Sequence, residues 1–263
     1  MKTSYKLAAF IILCISLASC KKVIDLKLRD TSPQLVIEGN LTDIVGAQSI
    51  TISKTVAFDS TNTYPPVSGA IVKIIDYNGR VYNLTERAAG TYTVNSLVGR
   101  YTLPYTLQVQ VNGQTYTAKS TMPGRVNLDS LSVTTQSFGK SITNTIGMSF
   151  QDPPNIKNQY RFILYVNGIQ VNSVFVRNDQ FSDGRFVQAL LYQDDIKINS
   201  GDKVNVEMQC IDPEMYTYWY TFSQQSNGFS NSATPTNPPN NFDKPVLGYF
   251  SAHTIQRRSI TIP

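Results

Sequence analysis

The sequence predicts a mainly β protein built as two β-sandwich-like domains, the first immunoglobulin-like, with one short helix near residues 213–223 in the second. Three observations carry this reading. Val, Ile, Thr and Tyr fill short segments that alternate apolar and polar side chains, the period of a pleated strand with one covered face. Asn-Gly pairs fall at 78–79, 112–113 and 167–168, each between two such segments. Both residues tolerate positive φ, which a tight hairpin demands. One stretch, opened by Asp212-Pro213-Glu214, carries a helix start: an Asp cap, Pro at the first helical position, and an acid near the positive end.

Along the chain, residues 20–33 read as a tether ending at Pro33. The first domain spans 34–123. Its strands are expected at 35–41, 49–53, 70–76, 80–84, 90–94, 106–111 and 114–118, with an exposed loop at 61–66. The apolar start of 35–41 suggests burial on both faces. Seven or so short strands in about 90 residues fit an immunoglobulin-like sandwich. The second domain spans 124–263, with strands at 131–135, 145–150, 159–166, 170–176, 186–191 and 203–211. The helix follows, then a Ser-, Asn- and Pro-rich loop at 226–241, then strands at 246–251 and 258–262.

Residues 1–19 read as an export signal. Lys2 and Lys6 precede an apolar run, 7–17, broken only by Ser16. That run is short of the roughly 20 residues that span a bilayer. Leu17-Ala18-Ser19-Cys20 looks like a lipobox, so cleavage is expected between Ser19 and Cys20, with acyl chains on Cys20. Each buried CH₂ contributes about 0.8 kcal/mol, so two or three chains hold a protein on a membrane. Lys21, not Asp, follows the Cys, which fits sorting to the outer membrane. Periplasmic and cell-surface faces both stay open.

Without the leader, 21 basic and 18 acidic side chains give a dispersed formal charge of +3. The only basic pairs are Lys21-Lys22 and Arg257-Arg258, a poor footprint for nucleic acid. Cys14 leaves with the leader and Cys20 is acylated, so Cys210 is unpaired. It shares the apolar register of Val204, Val206 and Met208 and reads as a core thiol.

Little in the chain points to chemistry. One His and one core Cys do not make a typical zinc site. Asp194-Asp195 is the only adjacent acidic pair, and calcium-loop spacing is missing, so no metal and no cofactor are expected. There is no Gly-x-Ser-x-Gly elbow and no glycine-rich phosphate loop, and His253 reads as a satisfied structural residue. Scattered carboxylates leave a hydrolase as the weakest of three readings. The one concentration of interest is aromatic. Tyr216, Tyr218, Trp219, Tyr220 and Phe222, with Phe229 in the following loop, are candidate partner or ligand contacts. The competing reading is a helix packed by one face, with Tyr216, Trp219, Tyr220 and Ser223 together. Asp59-Ser60-Thr61 and Asp129-Ser130-Leu131 resemble short O-glycosylation motifs, though Asp-Ser is also an ordinary turn pair.

Several stretches, in order and spacing, resemble the Bacteroidota outer-membrane lipoprotein family known as domain of unknown function 4249. They are residues 20–26, 35–39 with Thr42-Asp43, 66–70, 90–92, 115–118 with 121–123, 129–131 and 247–252. The resemblance spans nearly all of the chain after the leader. It brings no catalytic residues. It implies an outer-membrane lipoprotein of a kind often encoded beside a TonB-dependent transporter. The expected function is a non-enzymatic outer-membrane accessory or binding component of TonB-dependent uptake, with a nutrient as ligand. The alternative is a structural or adhesive envelope lipoprotein with no small-molecule ligand.

Overall fold

A computed structural model describes residues 32–57, 63–139, 141–226 and 237–263. The expected signal peptide, Cys20, Ser60 and Phe229 lie outside the described residues, as do most of the expected tether and the centre of the 226–241 loop. The chain is mainly β with one helix among the described residues.

Strands β1 (Leu35–Thr42), β2 (Gln48–Lys54), β3 (Ile71–Ile75), β4 (Val81–Asn83), β5 (Thr85–Ala88), β6 (Thr91–Val94), β7 (Pro104–Val111) and β8 (Gln114–Thr121) form the first half. β4-β3-β7-β8 make one sheet, and β1-β2-β6-β5 are the near end of a second, longer sheet. Between them Ile37, Ile50, Ile52, Ile74, Leu107 and Val109 are sealed from solvent. Only one face of β1 joins this core. Glu38 is exposed on the other, so burial on both faces does not hold.

The Asn-Gly turns divide into two kinds. Asn112 and Asn167 both take positive φ, as do the glycines after them, which is the two-residue hairpin the pairs signal. At 78–79 only Gly79 does. There the Asp76 carboxylate accepts the Asn78 and Arg80 amides, at 2.9 and 3.0 Å, and holds a wider loop.

The second half contains β9 (Ser130–Phe138), β10 (Ser141–Gln151), β11 (Gln159–Val166), β12 (Ile169–Gln170), β13 (Phe175–Asn178), β14 (Phe186–Leu191), β15 (Lys203–Ile211), α1 (Pro213–Ser226) and β16 (Leu247–Thr261). β14-β10-β9 face the far end of the long sheet, whose order is β12-β11-β15-β16-β1-β2-β6-β5, with β13 also on β11. Phe150, Tyr160 and Phe162 centre this core, with ring centroids 4.7 Å apart for Phe150–Tyr160 and 6.0 Å for Phe150–Phe162. Cys210 lies in it, as its register required. The expected strand 170–176 is broken in two. The Asn172 amide donates to the Asp195 carboxylate at 2.6 Å rather than to a neighbouring strand.

The main departure is at the C-terminus. The strands expected at 246–251 and 258–262 are a single 15-residue strand, β16. Residues 247–253 pair parallel to β1, and residues 254–261 pair antiparallel to β15. The extended chain never needs a turn because one partner ends where the next begins. The two cores divide near residue 123, yet Val246, Phe250 and Ala252 complete the first one. Residues Pro33–Pro263 form one compact unit. Gly248 makes the parallel contact feasible. Its φ is +99°, and a Cβ there would lie 2.0 Å from the Ile37 carbonyl oxygen.

The helix start behaves as read. Asp212 Oδ1 accepts the Met215 amide at 2.9 Å, a cap on the first turn. The same carboxylate takes the Ser120 hydroxyl, and Ser120 Oγ accepts the Ala252 amide at 2.8 Å. One buried hydroxyl therefore joins β8, the start of α1 and β16.

Candidate functional site

Register decides which side chains meet under α1. Residues paired across a sheet point to the same face. Pairing of Arg161 with Gln209, Gln209 with Ile255, and Glu207 with Arg257 puts these on the outer face of the long sheet. Glu38–Tyr249, Asn40–Ser251 and Thr42–His253 continue that face onto β1. In sequence these are ordinary alternating polar positions. In the fold α1 lies over part of them, so several are buried: Glu207 and Gln209 are 5 % exposed and His253 is 2 % exposed.

The central line of α1 is Met215, Trp219 and Ser223, spaced by four residues and all buried. Tyr218 turns to one flank, with its ring 5.1 Å from those of Trp219 and Tyr249. Tyr216 and Tyr220 stack on the other at 5.7 Å. The expected shared face of Tyr216, Trp219, Tyr220 and Ser223 is thus rotated. Tyr220 is 48 % exposed and Phe222 40 %, while Trp219 is the internal anchor. Of the expected contacts, Tyr220 and Phe222 are open to a partner, Tyr216 and Tyr218 are half-buried, and Phe229 is outside the described residues.

Beneath Trp219 the Arg161 guanidinium sits 3.5 Å from the ring centroid, a close cation–π contact. Arg161 Nη1 reaches Gln209 Oε1 at 3.4 Å, and Gln209 Nε2 donates to Glu207 Oε1 at 2.6 Å. Glu207 Oε2 accepts from Arg257 Nε at 2.9 Å and pairs with Arg257 Nη2 at 2.7 Å. A polar chain therefore runs from the solvent-facing Arg257 to the underside of the helix. Burial pulls the Arg161 guanidinium below its usual range, against the opposing influence of Tyr249 and Glu207. Burial pushes the Glu38 carboxyl up, and Arg161 partly offsets that. Because Glu38 keeps solvent access, the burial effect on it is screened. His253 has Nδ1 2.9 Å from Ser251 Oγ. Burial, reinforced by the Arg161 charge, holds its pKa down at about 3. It is sealed and partnered, which suits a structural residue better than a base.

Beyond the Tyr216–Tyr220 flank is a groove of about 280 Å³ between α1, β13 and β14. Its walls include Met148, Phe162, Phe175, Leu190 and Tyr220, and Arg177 also lines it. Arg177 Nε is buried with no hydrogen-bond partner among the described residues. A groove of mixed apolar and polar lining with one guanidinium suits an apolar group carrying an acid or a carbonyl. Sequence reasoning found Tyr220 but missed Arg161 and Arg177. Both sit in strands where a charged residue normally marks a solvated position. The Ser130 hydroxyl, a glycosylation candidate, lies 2.6 Å from Ser149 Oγ across β9 and β10.

The model of the family described as domain of unknown function (DUF4249) matches residues 21–259. The chain belongs to that family. No curated protein matches its sequence. Among solved structures, the chicken interferon gamma receptor alpha chain is similar at 8 % identity and TM-score 0.23, covering 89 % of this chain and 100 % of that one. A pullulanase complexed with maltotriose from Anoxybacillus sp. LM18-11 is similar at 11 % identity and TM-score 0.23, covering 65 % of this chain and 24 % of that one. No helix among the described residues is long and apolar enough to cross a membrane.

Proposed function

We propose that this DUF4249 protein is a non-enzymatic lipoprotein, anchored in the outer membrane through Cys20, that works as an accessory binding component of a TonB-dependent transporter. The observation that carries the binding role is the pair of exposed aromatics on α1, one on each flank. Tyr220 and Phe222 stand open on either side of the packed line of Met215, Trp219 and Ser223, and Tyr220 borders the groove that Arg177 lines. Large aromatics beside a guanidinium are the residue types that anchor interfaces. The signal sequence and Cys20 support the anchor, and the family match begins at residue 21, directly after it.

The test is purification of the tagged full-length protein from native membranes in mild detergent, with mass spectrometry of the bound proteins and of the Cys20 peptide. Acylated Cys20 and near-equal recovery of a TonB-dependent transporter, lost in a Tyr220→Ser/Phe222→Ser variant that still folds, are expected. Recovery of the lipoprotein alone would refute the accessory role and leave a freestanding binder or spacer.

A further inference from the structure

We propose that Asp152, Asp179 and Asp183 form a divalent-cation site of the calcium type, at the end of the second sandwich where the chain leaves β10 and β13. Asp152 directly follows β10 and Asp179 directly follows β13. The Gly184 amide donates to Asp152 Oδ2 at 3.3 Å, and the Asn155 amide donates to Asp183 Oδ1 at 2.8 Å, so the two loops are tied face to face. One carboxylate oxygen from each Asp lies within 4.8 Å of the other two. Oxygens sharing one calcium at 2.3–2.6 Å are at most about 5 Å apart, so the three fit a single ion.

Burial separates this cluster from a solvated acidic patch. Asp152 is 0 % exposed and Asp179 is 8 % exposed. Placing two carboxylates together away from water costs several kcal/mol unless a positive charge accompanies them. Among the described residues no lysine, arginine or histidine forms an ion pair with any of the three, although Arg177 and Arg185 flank the loop in sequence.

A second observation points to the same place. Ser182 is 7 % exposed, and its Oγ is sealed from solvent with no hydrogen-bond partner among the described residues. Its neighbours Phe181 and Asp183 are exposed, so its side chain turns under the loop. The Ser182 amide donates to the Asp179 carbonyl at 2.8 Å, and its own carbonyl accepts the Arg185 amide at 2.9 Å. These bonds tie Ser182 into the loop that carries Asp179 and Asp183 and that meets Asp152 through the Asp152 amide and the Arg185 carbonyl. The carboxylates do accept hydrogen bonds, Asp179 Oδ2 from the Asn158 amide at 2.6 Å among them, but none of these brings a formal positive charge. With an orphaned buried hydroxyl in the same loop, the oxygens are the donor type a hard cation takes. Spacing hid the site from sequence, because Asp152 and Asp179 come from different loops and match no calcium-loop pattern.

Tyr160 offers the readout. Its hydroxyl donates to Asp152, so terbium bound here is excited through that ring. In the full-length protein in detergent, stripped with chelator, terbium emission should saturate at a single equivalent and be displaced by calcium chloride. Calcium should also raise the thermal unfolding midpoint. Asp179→Asn and Asp183→Asn should each weaken both responses more than about tenfold, the range that outer-shell partners of a metal already reach. Asp194→Asn, an exposed acid elsewhere, should leave them unchanged. Unfolding curves in chelator, followed by Trp219 fluorescence, check that each variant folds. A wild-type protein with no saturable terbium or calcium response would overturn the proposal. So would Asp179→Asn and Asp183→Asn variants that titrate like wild type.

Discussion

Lowering the pH should destabilise the protein through His253 before its carboxylates protonate. The ring is sealed against the outer face of the long sheet, and its folded pKa is about 3 against an ordinary value of 6.5. The native state therefore binds fewer protons than the unfolded chain between those values. His253 contributes stability that is fully present above pH 6.5 and lost as the pH falls toward 3. From that gap the cost is negligible at pH 7.5, about 2 kcal/mol at pH 5, and about 5 kcal/mol once both states are protonated. Raised carboxyls act with the opposite sign: Glu38 and Asp212 are both pushed up by burial, so each favours the folded state as the pH falls. A wild-type curve alone would mix these effects, and the difference from His253→Gln isolates the ring. Glutamine keeps a hydrogen-bonding group near Ser251 and does not titrate. Urea unfolding at a series of pH values can be followed by fluorescence of Trp219, the only tryptophan. Near pH 5 the wild-type stability should fall more steeply than that of the variant, by about 1 kcal/mol per pH unit. Parallel curves between pH 4.5 and 7 would refute the sealed, neutral imidazole.

Three further outcomes are expected. Gly248→Ala should cost about 3 kcal/mol or more in urea unfolding, because it combines a φ of +99° with a Cβ pressed on the Ile37 carbonyl. Arg161→Leu should alter Trp219 emission and cost about 0.5–2 kcal/mol at neutral pH through loss of the cation–π contact. It should also flatten the acid side of the stability curve, because the Arg161 charge helps to hold the His253 pKa down. Cys210, 1 % exposed and with its thiol pushed up by burial, should resist alkylation in the native protein. Peptide mapping should find it modified only at the rate of unfolding.

What the sequence disclosed and what it hid follow from the range of the interactions. The hairpins at 112–113 and 167–168 and the start of α1 are encoded by neighbours, so positive φ and an Asp cap announce them. The continuity of β16 is not local. It depends on β1 and β15, which lie about 210 and 50 residues upstream and take over from one another at Thr254. The same reason explains the misread helix face. Alternation in β11 and β15 placed Arg161, Glu207 and Gln209 on a side expected to meet solvent, and α1 then covered it. Which aromatics of α1 turn inward was decided by the guanidinium under Trp219 and by Tyr249 beside it, two residues that a helical wheel does not contain. Periodicity reports which side chains share a face. Whether that face meets water, a helix or an ion is fixed by chain that arrives from elsewhere. The buried polar positions of this fold, from Arg161 to Asp152, therefore read in sequence as ordinary surface.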